Sequence, residues 1–331
     1  MTNLFWTTIS CIKGVGSKTL IKLYEQHPSL NFDTVLPVVK EIKQKRIRHL
    51  LTEENIEMAK DKAKKLIQLH KEKDIATIPL SSEYYPQYLK LIPDPPPIIY
   101  AKGNKDLLVE KKTLAIVGTR EPTRLGYKAS QKIAKTFAEK GYVIVSGLAL
   151  GIDTAAHEGA LMAHNGKTIA VLAGQLTEIY PAKNRSLAEK ILEKGGLFIS
   201  ETPIGQPNSR GNFVKRNRIQ SGLSLGVCPV QTPLKSGTQH TIKFAKDQDR
   251  FLFTPVPLKQ DINENAVQGN LKLMDQGVAL LENKMSYEKI SDMMTQYMTN
   301  LQKTYREKFE GVHKSERDNE QISLFDDQLF K

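Results

Sequence analysis

Cysteine is nearly absent: only Cys11 and Cys228 occur, far apart and outside any metal-ligand spacing. A disulfide framework and a cysteine-based zinc site are therefore excluded, and a reducing, cytoplasmic compartment is expected. No apolar run approaches the roughly 20 residues that a membrane span needs. The opening MTNLFWTTIS lacks a basic stretch and a long apolar core, so no signal peptide is expected. Neither a P-loop nor the Gly-rich dinucleotide fingerprint is present, so ATP and NAD are not expected. No carboxylate pair is spaced for a metal and no nucleophile–base–acid set stands out, so neither an enzyme nor a metal nor a cofactor is expected.

One sign of charge is missing where the other is dense. Between Thr202 and Lys246 there is no Asp or Glu, yet Arg210, Lys215, Arg216, Arg218, Lys235, Lys243 and Lys246 fall there. The whole chain carries a net charge of +12. A solvated surface normally mixes both signs, so this bias suits a polyanionic partner, most simply nucleic acid. Phe213 lies inside the stripe and admits two readings, a platform on which a base stacks or a core side chain.

The 331 residues divide into four segments. Residues 1–75 read as helical, and Gly14-Val15-Gly16 precedes an amphipathic stretch in the manner of a helix-hairpin-helix or SAM-like domain. Residues 76–110 are rich in Pro and Tyr, a linker or extended arm. Over 111–284, apolar runs (TLAIVG, YVIVSG, TIAVLAG, LFIS, LGVCPV, RFLFTPV) alternate with amphipathic helix-length stretches. That alternation predicts an α/β fold, Rossmann-like and doubly wound, with a mainly parallel sheet. Residues 285–331 read as one amphipathic helix and an acidic tail, with no winged helix.

Ligands of such sheets bind beyond the carboxyl ends of the strands. Three of those ends carry anion-binding features. Gly118, Thr119 and Arg120 join close backbone approach to a guanidinium; Ser146 and Gly147 open a turn into a helix; Lys235, Ser236, Gly237 and Thr238 follow a later strand. Together they predict a phosphate-binding rim, with Arg120, Arg216 and Arg218 holding phosphates and glycines clearing room for the ligand. Asp153 is expected to cap the helix after the second turn and His157 to be a hydrogen-bonded packing residue. Glu201 is expected to pair with an arginine or meet a ligand hydroxyl.

The stretches IVGTREPTRLGYKAS, VSGLALGIDTAAHEGAL, YPAKN, SETPIG, FVKRNRIQSGLS and KSGT closely resemble the DprA/Smf family of DNA-processing proteins. The resemblance extends over roughly residues 80–280. It implies a non-enzymatic protein that binds single-stranded DNA, forms a homodimer and loads a RecA-type recombinase in natural transformation. It also implies that Arg120, Ser146, Gly147, Lys183, Phe213, Arg216 and Asn217 line the DNA pocket. Departures from the family pattern fall at 173–177, at Val214, where proline is usual, and at Gln231, where an acid is usual. Two other classes stay open: a nucleotide sensor with a Rossmann-like domain, and a nucleotide N-glycosidase, against which KSGTQHTIKF lacks the acid that those enzymes carry. In the tail, Gln321, Leu324 and Phe325 resemble the peptide by which bacterial proteins dock on the replication sliding clamp.

Overall fold

The computed structural model describes residues 2–310. The chain opens with five helices, α1 (Thr2–Cys11), α2 (Ser17–Gln26), α3 (Val35–Glu41), α4 (Lys45–Leu50) and α5 (Glu53–Glu72). Their apolar faces meet in a core of their own, centred on Phe5, Trp6, Ile9, Leu23 and Leu51. Helix α2 also turns Ile21 and Tyr24 outward, against the core of the sheet that follows. This docks the helical unit on the rest of the molecule.

The strands β1 (Ile75–Pro79), β2 (Ile98–Gly103), β3 (Thr113–Val117), β4 (Val143–Ser146), β5 (Thr168–Val171), β6 (Leu197–Ser200), β7 (Gly226–Pro229), β8 (Phe251–Pro255) and β9 (Ala279–Leu281) form one sheet of nine strands in the order β1-β2-β6-β5-β4-β3-β7-β8-β9. From β6 to β9 every pairing is parallel, as the alternating pattern predicts. All six expected strands are present. The stretch expected to be a linker and arm instead supplies the antiparallel edge β1–β2, with Ala101 opposite Ile199. Its prolines punctuate the short helix α6 (Gln87–Lys90) and the entry to β2, so they break the pattern locally without keeping the segment out of the sheet.

Side chains alternate between two faces because the strand period is two. Ala115, Val145, Ile169 and Val227 meet α10 (Arg210–Gly222) and α11 (Thr238–Asp247) through Ile219 and Ala245. Leu114, Ile116, Ile144 and Cys228 meet α7 (Arg124–Glu139), α8 (Ile152–Met162) and, through Ile290 and Met294, α13 (Lys284–Tyr305). Helix α9 (Arg185–Glu193) covers β5 and β6 on that second face. Helix α12 (Gln268–Asp275) leads into β9. Helix α13 is the single amphipathic helix expected there; its cap is Asn283, whose side chain accepts from the N–H of Met285 and Ser286. The tail residues Gln321, Leu324 and Phe325 lie outside the described residues.

Candidate nucleic-acid interface

A cleft of about 940 Å³ opens over the carboxyl ends of β4 and β5 and along the flank of β6, which it meets at Phe198. Of the residues singled out from the sequence, Arg120, Gly147, Phe213 and Arg216 line it. Arg120 is exposed and places its guanidinium over the ring of Phe213, 5.8 Å from the centroid. Tyr180 meets the same ring edge-on at 5.7 Å. Phe213 is thus a wall of the cleft, half-buried between a cation and a second aromatic. Leu172, Leu176, Ala188 and Phe198 form an apolar floor. The charged lining is Lys73, Lys102, Arg120, Arg185 and Arg216 against Glu178 and Glu189. A cationic concavity with an aromatic wall is suited to a sugar–phosphate chain and its bases.

Arg216 is the centre of the site. It is 8% exposed, and burial pulls its guanidinium below the ordinary value; the Asp153 carboxylate works the other way and Arg120 adds to the depression. Nη1 donates to the carbonyls of Gly147 (2.8 Å) and Val171 (2.5 Å), and Nε donates to Asn217 Oδ1 at 3.1 Å. Among the described residues Nη2 has no acceptor, although the side chain lines the cleft. A buried guanidinium left with unused donors favours an incoming anion.

The turn after β4 is built around this arginine. A Cβ on Gly147 would sit 1.9 Å from Arg216 Nη1, and one on Gly151 (φ +80°) would meet the backbone of Thr119 and Arg120 at 2.5–2.7 Å. The glycines therefore admit the protein's own arginine and loop, where the sequence suggested room for a ligand's backbone. Asp153 is likewise corrected. Its carboxylate accepts the Gly147 N–H at 3.1 Å, ahead of the helix, and does not cap the first turn of α8. Burial raises its pKa while Arg216 and the turn amides oppose the rise. His157 is a packing residue as expected: Nδ1 shares a hydrogen bond with Thr168 Oγ1 at 2.7 Å, and burial, with Arg216, pulls its pKa to about 3.

The other expected positions do not converge on the cleft. Arg218 is turned into two ion pairs, Nε with Asp94 Oδ2 and Nη2 with Glu201 Oε1, both 2.8 Å. Burial works against its charge, but Glu201 and Asp94 hold the guanidinium above its ordinary value. Glu201 thereby takes the arginine-pairing role. Ser146 is buried and donates to the Ile116 carbonyl. Gly118 and Thr119 sit where β3 meets β7, with the Thr119 N–H on the Gln231 carbonyl at 2.8 Å. Asn217 supports Arg216 and donates to the Gly237 carbonyl at 3.2 Å. Lys183 is exposed beside the cleft, two residues from the lining Pro181. Lys235 is exposed and Ser236 bonds Thr232, while Thr238 is buried, so the third strand end contributes no wall.

The crevice between β3 and β7, where strand order reverses, is filled from within. Gln231 Nε2 donates to Thr123 Oγ1 and to Asp261 Oδ2, and its Oε1 accepts the Thr123 N–H. The open site is therefore displaced toward β4–β6. Tyr180, Arg185, Lys73 and Lys102 were not singled out from the sequence. Tyr180 belongs to the YPAKN segment, which offered a local signal; Lys73 and Lys102 reach the cleft only because β1 and β2 join the sheet.

Residues 76–295 match the model of the DNA recombination-mediator protein A family. The chain is 36% identical to DNA processing protein DprA of Bacillus subtilis, over 84% of this chain and 92% of that protein. It is 37% identical to protein Smf of Synechocystis, over 85% and 71%. The X-ray structure of DNA processing protein A from Streptococcus pneumoniae superposes with a TM-score of 0.68 at 27% identity, covering 86% of this chain and 96% of that one. A structure of DNA processing protein A from Helicobacter pylori, described for its single-stranded DNA binding mode, superposes with a TM-score of 0.58 at 30% identity, covering 67% and 97%. By the extent of these matches and the sheet they share, the chain belongs to the DNA recombination-mediator protein A (DprA/Smf) family.

Proposed function

We propose that the chain binds single-stranded DNA in the cleft over β4–β6, with little sequence preference, in the cytoplasm. The observation that carries this reading is Arg216, nearly buried, lining the cleft and left with unused donors. Arg120 and Phe213 beside it supply a phosphate contact and a stacking face. The Helicobacter pylori relative, described as binding single-stranded DNA, supports the same substrate. On this reading a homodimer protects the strand and passes it to a RecA-type recombinase during DNA uptake or recombination, without catalysing a reaction.

Titration with oligothymidylates of increasing length at two salt concentrations tests the substrate. Affinity is expected to rise with length and to fall with salt, with a log–log slope of about 0.7 per phosphate contacted. Arg120→Ala is expected to weaken every length by about tenfold, the worth of one charge-assisted contact. Saturable binding of a mononucleotide, indifferent to chain length, would overturn the reading in favour of a nucleotide sensor. Strand transfer is tested by whether the protein speeds recombinase filament growth on coated DNA; no acceleration removes that step. Docking on the sliding clamp through Gln321, Leu324 and Phe325 requires that deletion of residues 319–331 abolish binding to purified clamp.

A further inference from the structure

Positive charge continues beyond the cleft on the side of β3. Four residues after Arg120 the chain enters α7, whose outer face presents Arg124, Lys128, Lys132 and Lys135, all exposed. The other face, with Ile133, Ala134 and Phe137, is buried in the sheet core. A spacing of four residues keeps side chains on one row of a helix. Arg124, Lys128 and Lys132 therefore follow one another at about 6 Å along the axis, close to the backbone repeat of an extended single strand. The loop that joins Arg120 to this row is pinned. Thr123 caps α7 by accepting the Gly126 N–H, donates to Asp261 Oδ2 at 2.6 Å, and is held by Gln231.

The fold does not neutralise the row. Among the described residues no carboxylate lies within 4 Å of Arg124, Lys128 or Lys132; Lys135 alone is paired, with Glu139 at 3.6 Å. Neighbouring acids are engaged with neutral groups instead. Glu158 of α8 accepts from Tyr127 Oη at 2.7 Å and Gln131 Nε2 at 2.9 Å, and Asp261 is held by Thr123 and Gln231. From Arg120 to Glu139 the only acid between the two is Glu121, in the loop. The charges also run against the helix. Arg124 sits in the first turn, which has no acid, and Glu139 closes the last, the reverse of what the dipole favours. A local rule broken with no structural return points to a ligand.

We infer that the outer face of α7 is a second stretch of the DNA path: a single strand leaving the cleft past Arg120 lies along Arg124, Lys128 and Lys132, one backbone phosphate to each. This rests on the single-stranded DNA reading above and extends it to a surface that shares no residue with the cleft. The added contacts are to phosphates alone, so they lengthen the footprint and bring no sequence preference.

The test uses the full chain, a double variant Lys128→Gln with Lys132→Gln, and oligothymidylates of about five and about twenty nucleotides, the shorter near the lower limit of a single-strand site. Both lysines are exposed, so the melting temperature should hold. The variant should bind the long oligomer about fivefold more weakly, the worth of two exposed ion pairs, and the short one as the parent does. Its log–log salt slope for the long oligomer should be smaller by about 1.4, two phosphates' share. In the parent, the long oligomer and not the short one should shield the amines of Lys128 and Lys132 from acetylation by an activated ester, read by mass spectrometry. Unchanged affinity and slope with unshielded amines would overturn the inference. Arg120→Ala separates the two claims, because its loss of binding at both lengths leaves the cleft reading standing when the α7 path fails. A parent that binds neither oligomer would overturn both.

Discussion

Arg216 and Arg218 lie two residues apart on α10, 8% and 6% exposed, yet the tertiary structure assigns them opposite tasks. Arg218 faces Asp94 and Glu201, and its charge is met inside the protein. Arg216 faces neutral carbonyls at the sheet edge, and Asp153 influences it without an ion pair within 4 Å among the described residues. Burial alone therefore does not mark a functional arginine. What marks it is a desolvated charge whose hydrogen-bonding capacity the protein has not used up.

The largest expected effect that would break this contrast is at Gly147. Gly147→Ala places a methyl group on the Arg216 guanidinium and expels it, so binding of single-stranded DNA should fall about 10–100-fold, the worth of a charged hydrogen bond or two. Adding Arg216→Ala removes the clash; thermal stability should then recover while binding stays lost. Recovery of binding in the double variant would show that Arg216 is only a packing element.

Arg218→Ala should act on stability instead. A fully buried pair broken on one side costs about 3–5 kcal/mol. Asp94 is 61% exposed and Glu201 27%, so water recovers part of that and the expected loss is about 1–3 kcal/mol in denaturant melts. Binding per folded molecule should stay within about twofold. A large loss of affinity with no loss of stability would invert the comparison.

The smallest effect sharpens it through pH. Burial pulls the pKa of His70 to about 4, and His157, under burial and Arg216, lies at about 3. Both imidazoles are neutral in the folded state and charge more readily when unfolded, where the ordinary value is about 6.5. The stability they contribute is therefore complete above about pH 6.5 and is lost as pH falls toward 4 and then 3. His70 shows why: its Nε2 accepts the Ile204 N–H, and a proton there would remove the acceptor. Melting temperature should decline across that window, and a flat profile would contradict it. In Arg216→Ala the His157 resonance should titrate at higher pH than in the parent; in Arg218→Ala it should not move.

Much of the fold was legible because its signals are local. The β-branched runs between Thr113 and Pro255 mark strands buried on both faces, and amphipathic stretches between them mark the covering helices. The antiparallel strand β2, next to the edge, was hidden by prolines, which mark a turn locally but do not say what lies beside the chain. In the site, Arg120 and Phe213 stood out by type and context, and the structure sets one over the other. The role of Gly147 was misread, because a glycine announces that something approaches closely without saying whether it is ligand or protein.

The sequence by itself determined the order of strands and helices, the excess of positive charge and the acid-free stripe from Thr202 to Lys246, since periodicity and composition are properties of neighbouring residues. Only the tertiary structure decided which of those charges remain available. Asp94 reaches Arg218 from 124 residues away, and Lys73 and Lys102 arrive at the cleft from the far edge of the sheet. Whether a cation is spent within the fold or offered to a ligand depends on what packing brings within hydrogen-bonding distance, and that is set by long-range contacts that no local pattern encodes.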